Sequence, residues 1–473
     1  MRPMGGLLRP VLTLLGGTAT AQVLVFVARP ILTRLFPPEA FGVLTVFVTL
    51  AAVAVTVAAG QYDSAALLPE RDDEAASLLV LGLFGGVVTA LLTGLAVVFR
   101  NDLAALARDE AVSPALLALP PAVLFLAWGQ SFELWHTRRH RFRLIASARL
   151  AQGLTIVGGQ MAAGLAALGA TGLVGPSLAG FGVAALALGL VVLLRDGPAL
   201  RAVRWDLTRR MAARFSRFPY FSAPAAFLNV LGTRLPVFLL AAFFSTGVVG
   251  QFGVAWGTMV LPLVLVTGAV GQVYHVRAAE AHRTGALAPL TRQVLRGMLV
   301  VAAYPTLAVL AAGPTLFAFV FGEGWGTSGE YARAMAGWTL FTSVASPLTR
   351  IFDVTERQRV DLVSSLGMFA TMAVVLLAAG QTGSALGAVI AAGAAGALLR
   401  IGHLGWMLRL AGVPLPSAAA DTARVLGLAL PFALAVFLAD ALGGTGSVVT
   451  GVAVLAGLAY LAVAHRVYGM GAP

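Results

Sequence analysis

The chain contains no cysteine and no lysine, and only 11% of its residues are charged. The absence of cysteine excludes disulfides, thiol catalysis and metal sites with cysteine ligands. The absence of lysine excludes the phosphate-binding loop that ends in Gly-Lys-Ser/Thr, so the chain is not an ATP-driven pump by itself. A soluble domain carries about 25% charged residues. The shortage of charge therefore indicates a protein that spends most of its length outside water.

The chain is rich in long apolar segments. Hydrophobic residues make up 59% of the chain, and its mean hydropathy is +0.89. A helix needs about 20 apolar residues to cross a bilayer, and only helices or closed barrels satisfy their backbone polar groups in lipid. The runs lack the strict alternation of barrel strands, so we predict an all-α polytopic membrane protein with about 14 transmembrane helices. The predicted spans are 10–33, 40–62, 76–99, 113–133, 149–169, 171–194, 219–244, 248–274, 297–320, 331–353, 361–379, 384–408, 424–441 and 446–465.

The basic residues are all arginines, and they fall almost entirely into every second gap between the spans. With the N-terminus in the cytoplasm, 26 of the 32 lie in cytoplasmic segments. Such an excess sets the orientation of membrane proteins, so we predict a multi-pass protein of the cytoplasmic (inner) membrane with both termini in the cytoplasm. The net charge of +12 then reflects topology and attraction to anionic membrane lipids, and nucleic acid is not expected as a partner. The six other arginines are Arg29, Arg34, Arg100, Arg108, Arg234 and Arg333.

The two halves of the chain share a pattern at an offset of 211 residues. Phe41 and Gln61 bound span two, and Phe252 and Gln272 bound span eight, with a separation of 20 residues in both cases. A six-helix unit repeated in the same orientation is a transporter architecture, whereas chance similarity between glycine- and valine-rich segments is the alternative. We predict two six-helix lobes in a parallel pseudo-repeat plus two extra C-terminal helices. The predicted parts are an N-terminal lobe at 1–195, a cytoplasmic basic linker at 196–218, a C-terminal lobe at 219–410 and the two additional helices at 411–473.

The segments between the spans are short. The longest lie at 134–148, 195–218 and 275–296, and none is large enough for a soluble domain. The arginine-rich part of the linker predicts either a basic helix on the inner membrane surface, with Trp205 and Leu207 facing lipid, or a plain connection. A membrane glycan polymerase or ligase needs a larger soluble region, so this function is disfavoured.

Five motifs resemble those of polysaccharide flippases. They are ARPILTRLFPPEAFG at 28–42, QYDSAALLPERDDEA at 61–75, RFPYFSAP at 217–224, LPL at 261–263 and FGEGWG at 321–326. In this order and spacing they are similar to the O-antigen and lipid-linked oligosaccharide flippase family of the multidrug/oligosaccharidyl-lipid/polysaccharide exporter superfamily. The resemblance covers roughly residues 10–410.

The resemblance implies a transporter rather than an enzyme. Two lobes around a central cavity would move undecaprenyl-pyrophosphate-linked oligosaccharide from the inner to the outer leaflet by alternating access, for the biosynthesis of cell-surface polysaccharide such as the O-antigen of lipopolysaccharide. The protein is expected to work as a monomer, without a cofactor, beside polysaccharide polymerases and glycosyltransferases. A Na+ or H+ gradient or the membrane potential would drive it. Analogy with the fourteen-helix lipid-linked peptidoglycan-precursor flippases of the superfamily suggests that spans thirteen and fourteen form a side groove for the prenyl tail.

Three arginines within or beside the spans are candidate ligands for the pyrophosphate. A charge at the bilayer centre costs about 2.5–3.5 kcal/mol on insertion scales, and guanidinium binds phosphate oxygens in a fork. Arg234 lies in the middle of span seven, with a structural ion pair as its alternative role. Arg29 lies in the outer half of span one and has outward snorkelling as its alternative, and Arg34 has interfacial anchoring. Pro30 and Pro236 predict local helix breaks beside them.

Other polar residues within the spans have two possible roles. We expect the three glutamines and one asparagine either to bind sugar hydroxyls in a cavity or to join helices through hydrogen bonds. The two carboxylates at the inner ends of spans two and four are expected either to form a gate or a coupling site, or to lie at solvated helix ends. A multidrug-type cation-coupled antiporter, the second candidate function, places acids rather than arginines in its cavity. The amides are Gln22, Gln61, Asn229 and Gln272, and the acids are Asp63 and Glu133.

Overall fold

The computed structural model describes residues 22–106, 109–355 and 357–468, and these residues form helices and turns without a strand. Fourteen long helices occupy them, one at each predicted span, which confirms the predicted fold class. We label them α1 (22–35), α2 (Pro38–Ala58), α3 (Asp72–Ala96), α4 (Leu119–Arg138), α5 (Phe142–Leu165), α6 (Thr171–Arg195), α7 (Ala223–Phe243), α8 (Thr246–Thr284), α9 (Leu287–Phe321), α10 (Gly326–Ala345), α11 (Gln358–Gly380), α12 (Ala385–Leu410), α13 (Leu415–Ala441) and α14 (Gly446–Tyr468).

Eleven helical segments of the described chain are long and apolar enough to cross a membrane. Helices α5 and α10 lie outside this set because they are richer in polar residues and glycine. Helix α1 is described only from residue 22. The chain is a multi-pass membrane protein.

The helices extend further than the apolar runs that predicted them. The predicted loop at 275–296 is mostly helical, because α8 continues to Thr284 and α9 begins at Leu287. The predicted loop at 134–148 is likewise reduced to the turn between α4 and α5. Hydropathy marks only the part of a helix that lies in lipid, so it missed these polar turns.

The basic linker contains two short helices, Gly197–Arg201 and Trp205–Arg214. Trp205 is 79% exposed. Leu207, in contrast, packs with Met211 against buried residues that include Leu78 of α3. The prediction that Leu207 faces lipid is therefore wrong, because this side of the helix is covered by the protein itself.

The chain divides into two compact units, Met1–Gly250 and Gln251–Pro473, called here the first and second unit. In the first unit, α4 packs between α3 and α6, α5 packs on α6, and α2 packs on α7. In the second unit, α9 packs against α10, α13 and α14. The hydroxyl of Tyr460 on α14 donates to the carbonyl of Val300 on α9. The division into two six-helix lobes with a boundary at the 196–218 linker stays a prediction.

The 211-residue pattern holds where α2 and α8 begin and fails where α2 ends. Phe41 and Phe252 are both buried near the starts of these helices. Helix α2 stops at Ala58, and Gly60 and Gln61 then take the left-handed conformation, with φ of 53° and 59°. Helix α8 instead continues through Gln272 to Thr284. The two glutamines therefore occupy different structural positions.

The beginnings of α2 and α8 cross in backbone contact within the first unit. A Cβ atom placed on Gly42 would lie 1.8 Å from the carbonyl oxygen of Thr246, and one on Gly250 would lie 1.9 Å from that of Pro38. The hydroxyl of Thr246 donates to Asp109. Only glycine fits at the two crossing points, because real Cβ atoms essentially never come closer than 3.0 Å.

Candidate functional site

Helix α1 carries two unpartnered polar groups on one face. Gln22 and Arg29 are seven residues apart, which is close to two full turns. Gln22 Oε1 and Arg29 Nη1 are shielded from solvent and have no hydrogen-bond partner among the described residues. Buried polar groups in native structures are normally hydrogen-bonded. This face therefore offers an acceptor and a cationic donor to a ligand.

Arg34 lies on a different side of α1, five residues after Arg29. Its side chain is exposed, and Nη1 donates to the carbonyl of Pro30 at 3.1 Å. The hydroxyl of Thr33 donates to the same carbonyl. This arrangement gives Arg34 a local role at the end of α1 and matches the anchoring alternative better than a shared site with Arg29.

Arg234 lies in the middle of α7 and is half-buried. No ion pair of the described residues involves Arg234. Its alternative role, as one half of a structural ion pair, therefore has no acidic partner among these residues. Asn229 is exposed and lies five residues earlier, on a different side of the helix. The two residues are thus not presented together by α7.

The predicted helix breaks at Pro30 and Pro236 are absent. Helix α1 runs through 22–35 and α7 through Ala223–Phe243 without interruption. A proline inside a helix removes one backbone hydrogen bond, and membrane helices tolerate this loss. Arg29 and Arg234 are therefore held on continuous helices, which fixes the direction of each side chain more firmly than a broken helix would.

Gln61 is a turn residue in the structure. Its amide nitrogen donates to the carbonyl of Thr56, and its amide oxygen accepts from the hydroxyl of Ser64 at 3.2 Å. Both ends of the side chain are used locally, so the structure offers no support for Gln61 as a sugar ligand. Gln272 is exposed on α8 in the second unit.

Asp63 is 1% exposed, so the prediction of a solvated helix end is wrong for this residue. The left-handed turn at Gly60 and Gln61 directs the short helix Tyr62–Ala65 against α3 and α4. One carboxylate oxygen of Asp63 accepts from the backbone N–H of Ser64 at 2.8 Å. The other oxygen is shielded and has no partner among the described residues.

Glu133 has a partner, unlike Asp63. Arg149 of α5 reaches its carboxylate at 2.6 Å and joins α4 to α5. A coupling carboxylate must bind and release its ion during transport. The ion pair therefore favours a structural role for Glu133.

A network that the sequence did not predict holds the arginine-rich ends of α4 and α6 together. Asp196 accepts from Arg141 through two hydrogen bonds of 2.6 and 2.9 Å and from the indole of Trp135 at 3.0 Å. Burial raises the pKa of Asp196, but the hydrogen bonds from Arg141 and Trp135 outweigh it and hold the pKa below its ordinary value. Arg138 donates to the carbonyls of Ala66, Pro69 and Glu70, which fixes the chain between α2 and α3.

The second unit contains an open groove of about 1040 Å³. Its walls are mostly apolar residues of α8 and α9, and Arg277, Arg292 and Arg296 also line it. Asp421 of α13 accepts from Arg292 at 3.1 Å and from Arg296 at 2.7 Å. Val413 and Pro414, just before α13, together with Ser417 of α13 and Tyr468 of α14, complete the lining. The predicted side groove of spans thirteen and fourteen stays a prediction.

Comparison with known proteins identifies the type of fold. A model of the family described as polysaccharide biosynthesis protein matches residues 31–330, whereas no curated protein sequence matches the chain. A solved structure of the lipid II flippase MurJ, in an inward closed conformation, is similar over 95% of this chain and 98% of its own, with a TM-score of 0.75 and 13% identity.

Multidrug transporters are also similar. An inward-facing multidrug resistance transporter of the MATE family, in the MOP superfamily, matches over 82% of this chain and 95% of its own, with a TM-score of 0.53 and 16% identity. A MATE protein in complex with MaL6 matches over 84% and 96%, with a TM-score of 0.51 and 13% identity. These likenesses show a fold shared by flippases and transporters.

Proposed function

The chain belongs to the polysaccharide biosynthesis protein family, and from this premise we propose that it is a flippase for lipid-linked oligosaccharide. The proposed substrate is undecaprenyl-pyrophosphate-linked oligosaccharide, which moves from the inner to the outer leaflet of the cytoplasmic membrane by alternating access. Both termini lie in the cytoplasm in this proposal. The glycan then serves cell-surface polysaccharide biosynthesis, and a Na+ or H+ gradient or the membrane potential drives the cycle.

The unpartnered face of α1 is the observation that carries this proposal. A guanidinium group in a membrane helix is costly unless an anion or water meets it. Arg29 Nη1 is shielded and has no partner among the described residues. A pyrophosphate supplies oxygens that a guanidinium binds in pairs. Gln22, two turns away on the same face, adds an acceptor for a hydroxyl of the carried molecule.

Arg234 is the second proposed ligand. It lies within a continuous membrane helix and forms no ion pair with a described acid. A cation in this position attracts an anionic substrate and disfavours the organic cations that a multidrug antiporter carries. Asn229 and Gln272 stay candidates for contact with the sugar, and their exposed side chains leave room for such contact.

The groove of the second unit fits the lipid part of the substrate. Apolar side chains of α8 and α9 form its walls, and arginines lie along it. A molecule with a long apolar tail and an anionic end matches this distribution of surface. We assign the groove to the prenyl tail.

Filling the groove is expected to slow transport. Val273 lines the groove and is 55% exposed, so Val273→Trp adds a large side chain there without overpacking the core. Val454 on α14 is outside the groove lining and 58% exposed, so Val454→Trp is a matched control. We expect Val273→Trp to reduce the rate of transport of lipid-linked oligosaccharide at least about tenfold and Val454→Trp to leave it unchanged. Equal rates for both variants would remove the groove from the proposed path.

The alternative function is a multidrug-type antiporter. The fold is compatible with it, and the buried carboxyl of Asp63 is a specific observation in its favour. A membrane glycan polymerase or ligase is disfavoured, since the described segments between the helices are too short for a soluble catalytic domain.

Transport by the purified protein in proteoliposomes separates these functions. Fluorescent undecaprenyl-pyrophosphate-linked oligosaccharide in the vesicles is expected to become accessible on the second leaflet only when the protein is present. An excess of an organic cation such as ethidium is expected to leave this rate unchanged. Exchange of ethidium for protons, without movement of the oligosaccharide, would support the antiporter instead.

A further inference from the structure

A polar pocket of about 510 Å³ lies on the predicted cytoplasmic side of the first unit. Its volume falls within the usual range of ligand pockets, about 300–1,000 Å³. The beginning of α3, the ends of α4 and α6, and the short helix Gly197–Arg201 form its walls. No described residue of α1 or α7, the helices that carry Arg29 and Arg234, lines it. Its charged lining residues are Arg71, Asp72, Asp73, Arg139, Arg195 and Asp196.

The positive charges at this pocket outnumber the negative ones. Each of the three aspartates already pairs with at least one arginine. The pairs are Asp73 with Arg71, Asp72 with Arg138 and Arg139, and Asp196 with Arg139 and Arg141. Arg195 is exposed and forms no hydrogen bond or ion pair with a described residue. Five arginines thus meet three aspartates, and the excess of positive charge favours an anion in the pocket.

Arg139 is held in a fixed direction at the pocket. Its Nη1 donates to Asp72 at 2.9 Å, and its Nε lies 3.5 Å from a carboxylate oxygen of Asp196. Its guanidinium also lies over the ring of Trp135, 5.1 Å from the centroid. No described residue accepts a hydrogen bond from its Nη2. A guanidinium binds phosphate oxygens through paired N–H groups, so Arg139 offers a preorganised donor and Arg195 adds a second cation.

The surroundings of the pocket are typical of the membrane surface. Arg195 is the last residue of α6, and the turns before it expose Leu190, Leu193 and Leu194. Exposed leucines on a membrane helix face the acyl chains of lipids. Trp205 begins the next linker helix with its side chain exposed, and tryptophan is enriched where the bilayer meets water. An anion in the pocket is therefore close to acyl chains as well as to water.

We propose that this pocket binds the phosphate group of an anionic phospholipid of the inner leaflet, such as phosphatidylglycerol. Arg139 and Arg195 bind the phosphate oxygens, and the acyl chains lie along the exposed leucines of α6. The lipid contacts the ends of both α4 and α6, so its binding stabilises the folded first unit. The inference goes beyond the proposed function and does not depend on which molecule is transported.

The first test compares an anionic phospholipid with a zwitterionic one. Native mass spectrometry measures binding of phosphatidylglycerol and of phosphatidylcholine with the same acyl chains. The unchanged protein is expected to bind phosphatidylglycerol at least about tenfold more tightly, and Arg195→Ala is expected to remove most of this preference. Arg466→Ala is the matched control, because Arg466 is exposed near the end of α14 and lies outside the pocket. Equal binding of both lipids by the unchanged protein, or an equal loss in both variants, would overturn the proposal.

The second test fills the pocket without changing its charge. Ala202 lines the pocket and is exposed, so Ala202→Phe occupies space there without overpacking the core. Ala213 is exposed on the second linker helix, outside the lining, and Ala213→Phe is its control. Ala202→Phe is expected to reduce the preference for phosphatidylglycerol as Arg195→Ala does, and Ala213→Phe to retain it. An undiminished preference in Ala202→Phe would place the lipid elsewhere and overturn the proposal.

Two further ligands identify the source of the phosphate group. Inorganic phosphate at millimolar concentration is expected to leave phosphatidylglycerol bound, and displacement of the lipid would show a site for soluble anions instead. Arg195→Ala is expected to keep the preference of the unchanged protein for undecaprenyl pyrophosphate over undecaprenol. Loss of that preference would place the pocket on the substrate path and overturn a separate phospholipid site. Failure of oligosaccharide transport in proteoliposomes would refute the proposed function but leave these binding results unchanged, so the two proposals fail separately.

Discussion

Replacing Arg29 or Arg234 by alanine is expected to abolish export of the glycan while the protein remains in the membrane at close to its normal amount. Neither arginine forms an ion pair with a described acid, so its removal leaves no such acid without a partner. Hydrogen bonds to charged groups contribute about 1.5–3 kcal/mol each. The loss of one fork therefore lowers affinity for the pyrophosphate by a factor of about 100 or more.

Two further variants make this prediction specific. Arg29→Lys is expected to recover only part of the export, because an ammonium keeps the charge but loses the fork. Arg34→Ala is the matched control, since its guanidinium is exposed and bonded to the backbone of α1, and it is expected to retain export. Membrane protein level and surface polysaccharide are measured in the same cells. Normal export with Arg29→Ala and Arg234→Ala would refute their role as ligands, and loss of the protein itself would show a structural role.

Substituting Gly250 by alanine is expected to stop transport by separating the beginnings of α2 and α8. The added methyl group would lie 1.9 Å from the carbonyl oxygen of Pro38 and 2.9 Å from the backbone nitrogen of Gly42. These are backbone atoms, so no side chain can rotate away, and the helix ends must move apart by about 1 Å or more. The crossing lies on the predicted outer side of the membrane, so the variant is expected to be more open on that side.

The natural absence of cysteine allows a direct measurement of this opening. Thr246 lies at the crossing and is 1% exposed, so Thr246→Cys is expected to react slowly with a membrane-impermeant maleimide. Adding Gly250→Ala is expected to raise the labelling rate at least about tenfold and to abolish transport. Gly268→Ala is the control, because nothing lies within 4 Å of a Cβ there. Unchanged labelling with normal transport would show that the crossing can accept the methyl group.

The sequence predicts the number and placement of the helices well because hydropathy is summed over about 20 residues for each span. Single residues do not disturb such sums. Helix ends depend instead on a few local interactions. The turn that ends α2 at Gly60 and Gln61 and the continuation of α8 to Thr284 arise from segments that share a sequence pattern, so the pattern alone could not separate them.

The candidate site is predictable only in part for a similar reason. Arg29, Gln22 and Arg234 are visible in the sequence because a polar residue in an apolar run is conspicuous. The burial of Asp63 depends on a left-handed turn and on packing against α3 and α4, which no local pattern reveals. The groove of the second unit was missed in the sequence because apolar residues of α8 and α9 look the same there whether they face lipid or a groove.

Binding of the isolated lipid anchor tests the central claim most directly. Native mass spectrometry of the purified protein with undecaprenyl pyrophosphate, and separately with uncharged undecaprenol, measures how much of the affinity depends on the anion. The account predicts that the unchanged protein binds the pyrophosphate at least about 100-fold more tightly than the alcohol and that Arg29→Ala removes most of this difference. Equal binding of the two lipids by the unchanged protein, or an undiminished preference in Arg29→Ala, would contradict it.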